Sequence, residues 1–194
     1  MRAYLKPLVT MFALCIIVLL FKAPLRTYLS DPLSVDHESY VYKLPPGAKV
    51  QKTHVTVVSD GDTITITGGQ RVRYLNIDTP ELSHPAQNIR EECYGREATA
   101  RMSQLVANRD VILVSDSKDT DKYKRLLRYV FVPLEGRPGE YLNTNAYMVG
   151  EGYARVFVLE SDNRYKDDFV ELEKVAKDAK KGLWGACDRE KFRW

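Results

Sequence analysis

Two short tracts constrain this chain more than any other feature: Asp60-Gly61-Asp62-Thr63, and Arg73-Tyr74-Leu75-Asn76-Ile77-Asp78-Thr79-Pro80-Glu81. Between them Ile64 and Ile66 alternate with threonines up to Gly68-Gly69, and Val72, Tyr74 and Asn76 resume the alternation, so the segment predicts a hairpin. A tight Gly-Gly turn would then bring Asp62, at the start of one strand, and Asp78, at the end of its partner, to the same end of the sheet. Two carboxylates in one place suit a hard cation such as calcium, which takes several oxygen ligands including backbone carbonyls and water, so the pair and the Thr79 carbonyl form a partial shell. Phosphate oxygens would complete it. Glu81, just past the rigid Thr79-Pro80 step, would lie within a water's reach of the same ion. The planar guanidinium of Arg73 matches a phosphate, and a cation with an arginine clamp is equipment for phosphoryl transfer.

The flanking chain reads as a frame for this site. Val55 to Val58 predicts a strand that enters the hairpin, Val111 and Leu113 a fourth, and Leu126 to Val132 a fifth. A first helix is expected over 96–107, where Ala98, Met102, Leu105 and Val106 share a face and Asn108 ends it. A short helix is expected over 142–149, stopped by Gly150-Glu151-Gly152. The last carries a stripe of Phe169, Leu172, Val175, Ala176 and Ala179, with Lys180 and Lys181 at its negative end and Gly182 as its cap. Leu82 to Glu91 has no period and reads as a loop, whose His84 either touches substrate or bonds to local backbone. Residues 116–124 are a charge run, on its own a solvated turn. Periodicity by itself therefore says only α+β.

The motifs in order say more. Asp-Gly-Asp-Thr, an arginine five residues before Asp78-Thr79-Pro80-Glu81, then His84-Pro85, Tyr94-Gly95-x-Glu97-Ala98 and Asp121-Lys122-Tyr123-x-Arg125 resemble the staphylococcal nuclease (thermonuclease) family from about His54 to Cys187. The resemblance implies an α+β fold built on a five-stranded barrel of the oligonucleotide-binding (OB) type with about three helices. It also implies calcium ligated by Asp62, Asp78 and the Thr79 carbonyl, Glu81 as the group that activates or positions water, and Arg73 and Arg125 as phosphate clamps. Lys122 and Tyr123 would contact the substrate, DNA or RNA. Cys93 precedes the first helix and Cys187 follows the last, and similar exported members carry cysteines at these places, which implies a Cys93–Cys187 disulfide and an oxidising compartment.

Two departures stand out. The family's second arginine is flanked by small residues, whereas this chain has Lys124 and Leu126; Arg128 competes with Arg125 if the register slips. The tyrosines of the family's nucleotide pocket fall at Val158 and Glu160, so base stacking would move to Phe157 or Tyr153.

With 194 residues and 44% hydrophobic composition the chain has room for one globular domain and an appendage. A formal net charge of +3 does not by itself identify a polyanionic partner. Residues 7–21 are almost wholly apolar behind Arg2 and Lys6, the pattern of a signal-anchor or signal peptide over 1–22, short for a span and without a clean cleavage site. The expectation is a membrane-anchored, extracytoplasmic domain, or a secreted one if the segment is cleaved. Residues 23–52, rich in proline, read as a tether in which His37 is solvated and Tyr40, Val41, Tyr42 and Leu44 are able to add a strand to the domain. The nuclease-like domain is expected over 53–188 and a tail over 189–194, in a monomer without an obligate protein partner. The rival reading is a non-catalytic OB module that binds single strands or a protein.

Overall fold

The computed structural model describes residues 37–83, 90–158 and 164–187. The expected amino-terminal apolar helix, His84 and the 189–194 tail lie outside the described residues. Among those described, no helix is long and apolar enough to cross a membrane.

The strands are β1 (Val41–Tyr42), β2 (Val50–Val58), β3 (Thr63–Ile66), β4 (Arg71–Tyr74), β5 (Ile77–Asp78), β6 (Asp110–Val114), β7 (Leu126–Pro133), β8 (Tyr141–Asn143) and β9 (Arg155–Val156). The helices are α1 (Gly95–Val106), α2 (Thr144–Gly150), α3 (Lys166–Asp178) and the short α4 (Leu183–Ala186). The main sheet has seven strands in the order β1-β8-β7-β4-β3-β2-β6, which corrects the expected five. The expected five are all present, and an added β6–β7 pairing closes β2, β3, β4, β7 and β6 into a ring. The two extra strands, β8 and β1, continue outward from β7. Val41 pairs with Leu142 and Tyr42 with Tyr141, so the proline-rich tract does add a strand to the domain.

Burial explains why β7 is central. From Leu126 to Val132 every residue is buried, because the strand has neighbours along both edges and α2 packed on it. All of α2 is buried too, capped at its start by Asn143, whose side chain accepts from the Ala146 N–H at 3.2 Å. Helix α1 buries Ala98, Met102, Leu105 and Val106, the face read from its period. In α3 the stripe is narrower than expected: Phe169 and Ala176 are buried, whereas Val175 stays half exposed. That helix is followed by Lys180 at φ 52°, and Gly182, also at positive φ, opens α4 rather than capping α3. His37 is buried rather than solvated, edge-on to Tyr147 with ring centroids 5.0 Å apart.

The hairpin reading needs one correction. Strand β4 stops at Tyr74, and Asn76 does not continue it; at φ 59° this buried asparagine turns the chain into the separate strand β5. Side-chain amides hold the turn, as Asn76 Nδ2 donates to the Tyr129 hydroxyl (2.9 Å) and Asn145 Nδ2 to the Leu75 carbonyl (2.9 Å). Asn145 also accepts from the Val130 N–H, tying α2, β7 and the turn together. Asp78 is thus placed by buried amides and by β9, its partner strand, rather than by a simple hairpin end.

Cys93 and Cys187 are disulfide-bonded across 94 positions of sequence. Closing so long a loop restricts the unfolded chain, and the chain-entropy model allows on the order of 4–5 kcal/mol, less native strain. The double variant Cys93→Ser/Cys187→Ser is expected to lose about 2–4 kcal/mol of unfolding free energy in a denaturant titration. A loss too small to measure would mean that the bridge does not constrain the unfolded chain.

Lys124 supplies an independent test, because it adopts φ 63°, a conformation in which glycine carries no Cβ penalty. Lys124→Gly is expected to be neutral or to stabilise by up to about 1 kcal/mol in the same titration, against the usual direction for a new glycine. Marked destabilisation would show that the lysine side chain matters more than the backbone strain.

Candidate active site

At the end of the ring where β3 begins and β5 follows β4, four carboxylates and two guanidinium groups crowd together. Asp62 is 6% exposed and accepts from both motifs: the Thr63 hydroxyl donates to Oδ1 at 3.1 Å, and the Thr79 N–H donates to Oδ2 at 3.0 Å. Asp60 accepts from the Asp62 N–H at 3.0 Å and so shapes the turn. Gly61 is required by close approach, since a Cβ there would come within 2.8 Å of the Thr79 hydroxyl. The two motifs therefore fit against each other through one glycine and one threonine.

Arg73 joins the acids. On β4, opposite Thr63, its Nη1 pairs with Asp62 and its Nη2 donates to Asp78 Oδ1 at 2.8 Å. Asp78 is gripped from its other side by Arg155, whose Nη2 and Nε lie 2.6 and 3.1 Å from Oδ2. Sequence reading missed Arg155. Its only signal was a position in a strand whose pairing with β5 no local pattern reveals.

The electrostatics show an excess of negative charge. Burial raises the Asp62 pKa most; Arg73 and the Thr79 N–H oppose the rise, while Asp60 and Asp78 add to it. Glu81 is also raised, by burial first and then by Asp60, Asp78 and Glu92, with Arg73 opposing. Carboxylates that disfavour one another's charge are a place where a cation is welcome. Among the described residues no group of three or more acidic, histidine or cysteine side chains is arranged to hold a metal ion. A cation here would take the Asp62 and Asp78 carboxylates together with backbone, water or substrate oxygens, a donor set of the hard-oxygen kind that suits calcium.

Arg125 sits one residue ahead of β7, which runs parallel to β4 with Val72 opposite Leu126 and Arg73 opposite Leu127. The second arginine thus begins the strand beside the one that carries the first. The charge run before it is not a loose turn. Asp121 accepts from the N–H groups of Tyr123 and Arg125, both at 2.9 Å, and from Arg125 Nε at 2.7 Å. Burial pushes the Asp121 carboxyl up, but these hydrogen bonds and the arginine charge outweigh it and leave the pKa lowered. Tyr123 is 67% exposed, with Lys122 Nζ 5.0 Å and the Arg125 guanidinium 5.6 Å from its ring centroid. An exposed ring flanked by two cations suits a nucleotide base and its phosphate. Arg128, the alternative to Arg125, is 8% exposed and committed to Asp119, with Nη2 2.6 Å from Oδ1.

With this geometry in view, comparison with known proteins is informative. Residues 71–186 match the family described as staphylococcal nuclease homologue, a span that includes Arg73, Asp78, Glu81 and Arg125 but not Asp62. Endonuclease YncB of Bacillus subtilis is 38% identical over 148 residues, covering 72% of this chain and 66% of that protein. The SPbeta prophage-derived endonuclease YokF of the same organism is 38% identical over 130 residues, 64% of this chain and 41% of its own length. The thermonuclease of Staphylococcus hyicus is 31% identical over 140 residues, 71% of this chain and 78% of that protein. The chain thus spans less than two thirds of the length of the two Bacillus endonucleases. On the family match, its extent and these relatives, the chain belongs to the staphylococcal nuclease family.

Proposed function

We propose that this chain is a calcium-dependent endonuclease that hydrolyses phosphodiester bonds of DNA and RNA with little sequence preference and leaves 3′-phosphates. The single observation that carries the reading is the carboxylate cluster of Asp60, Asp62, Asp78 and Glu81, in which Arg73 pairs with Asp62 and Asp78. It is a site short of positive charge beside two arginines suited to phosphate.

In this mechanism Glu81, exposed at the edge of the cluster, orients a water and takes its proton as the oxygen attacks phosphorus in line. Its raised pKa moves it toward the range in which a carboxylate accepts a proton readily. Arg73 and Arg125 hold the non-bridging oxygens and stabilise the added negative charge as the bond to the 5′ oxygen breaks. Asp62, Asp78 and the Thr79 carbonyl are the residues that would hold calcium, whose chemistry there is to polarise the phosphate and neutralise charge. Arg155 orients Asp78 from behind. Tyr123 and Lys122 grip the neighbouring nucleotide. These groups address the sugar-phosphate chain rather than base edges, which is why low sequence specificity is expected.

The disulfide supports an oxidising compartment, so we place the domain outside the cytoplasm, anchored through residues 1–22 or released after their removal. The rival, a binding module without catalysis, would have no use for Glu81 beside a phosphate clamp. Labelled-oligonucleotide assays separate the two: tight binding without cleavage would support the module.

Glu81→Gln is expected to lower kcat by about a hundredfold to ten-thousandfold with circular dichroism unchanged. Arg73→Ala is expected to lower it by about a hundredfold or more under conditions where the variant stays folded, with a loss of about 3–5 kcal/mol of stability because Asp62 is left buried without its cation. Retention of full activity in either variant would remove that residue from the mechanism. Product analysis should find 3′-phosphate ends; 5′-phosphate ends would mean that the opposite ester bond is cut.

A further inference from the structure

Glu81 lies outside any helix or strand, yet its backbone is held at two points by a single residue. The Glu81 N–H donates to Glu92 Oε2 at 2.9 Å, and the Glu92 N–H donates to the Glu81 carbonyl at 2.9 Å. Behind the pair, Gly95 closes against the same carbonyl so tightly that a Cβ would sit 2.6 Å from it. Gly95 in turn donates its N–H to the Glu92 carbonyl at 3.1 Å, which fixes Glu92 to the start of α1.

The next residue is Cys93, and its disulfide continues the connection. Cys187 follows α4, whose first residue, Leu183, donates its N–H to the Gly152 carbonyl at 2.8 Å. Gly152 leads through Ala154 to Arg155, which pairs with Asp78. The path from Glu81 through Glu92, the disulfide, α4, Gly152 and Arg155 therefore returns to Asp78, three residues ahead of Glu81 in sequence. The water-directing side and the cation side of the site are held to each other by this circuit as well as by the short Thr79-Pro80 link.

We propose that Glu92 is a positioning residue that sets Glu81 relative to Asp78, and that the Cys93–Cys187 bridge is what keeps Glu92 in place. The inference rests on the role of Glu81 in the proposed hydrolysis. Glu92 acts through the Glu81 backbone, to which it is hydrogen-bonded at both N–H and carbonyl, so it governs the rate of the chemical step rather than substrate affinity. Cys93 is exposed, which leaves the bridge open to thiol exchange. A small-molecule dithiol would reduce it to two thiols and itself close to a cyclic disulfide, loosening the clamp.

The test uses the full chain and steady-state cleavage of a labelled oligonucleotide. Glu92→Ala is expected to lower kcat about tenfold to a hundredfold, the scale of a catalytic group displaced by about an ångström, with KM within about twofold. Glu92→Gln keeps an acceptor oxygen for the Glu81 N–H and should stay within about threefold of the parent in kcat. Reduction by the dithiol should lower kcat of the parent with near-ultraviolet circular dichroism retained, and should have little further effect on Glu92→Ala, because both act on one clamp. Unchanged kcat in Glu92→Ala, or in the folded, reduced parent, overturns the inference while Glu81→Gln keeps its lowered kcat. If Glu92→Ala does not fold, the reduced parent decides by the same criterion. Full activity in Glu81→Gln would instead overturn the reading of the site itself.

Discussion

Asp62 and Asp78 are two carboxylates that would repel each other if left alone, and the guanidinium of Arg73 between them keeps them in one place. Around that contact the rest of the structure is arranged. The Thr79 N–H donates to Asp62, Gly61 is small enough to let Thr79 approach, and Arg155 holds the far side of Asp78. A buried acid is stabilised in its charged form only by such partners, and removing one leaves a desolvated charge behind. The cluster is thus held by mutual dependence rather than by any one strong bond.

The scaffold supplies what the cluster cannot. Strand β7 is paired on both edges and buried throughout, and it carries Arg125 at its start beside β4, which carries Arg73. Polar groups inside the core do the fine positioning: Asn145 and Asn76 fix the turn from β4 into β5 through hydrogen bonds to Leu75 and Tyr129. Buried amides of this sort leave costly unpaired groups if the geometry shifts, so they narrow the turn to one conformation. The backbone of Glu81 is fixed in a different way, from outside the ring, by Glu92 and the start of α1.

Much of this was legible in the sequence because it is local. The Ile-Thr alternation, the Gly-Gly turn and the apolar face of α1 each follow from a period or a turn residue, and the ordered acidic and arginine motifs carried the family resemblance. What escaped was set by long-range pairing. Arg155 reaches Asp78 only because β9 pairs with β5 across 77 positions, and of the two strands that extend the expected five to seven, β1 was legible in the 40–44 tract whereas β8 is three residues long, too short for a period. Asn76 looked like one more alternating strand residue, and nothing in its neighbours announced the positive φ that ends β4. Residues 116–124 looked like a solvated charge run because hydrogen bonds to Asp121 do not register as a pattern.

The central claim is that Asp62 and Asp78 form a cation-dependent phosphodiester site. Its most direct test is the initial rate of oligonucleotide cleavage against free calcium, for the parent chain and for Asp78→Asn. The account predicts saturation with calcium in the parent, no cleavage in excess chelator, and at least about a tenfold higher calcium requirement once one carboxylate ligand is neutralised. Cleavage that continues undiminished in chelator, or an identical calcium dependence in Asp78→Asn, would contradict it.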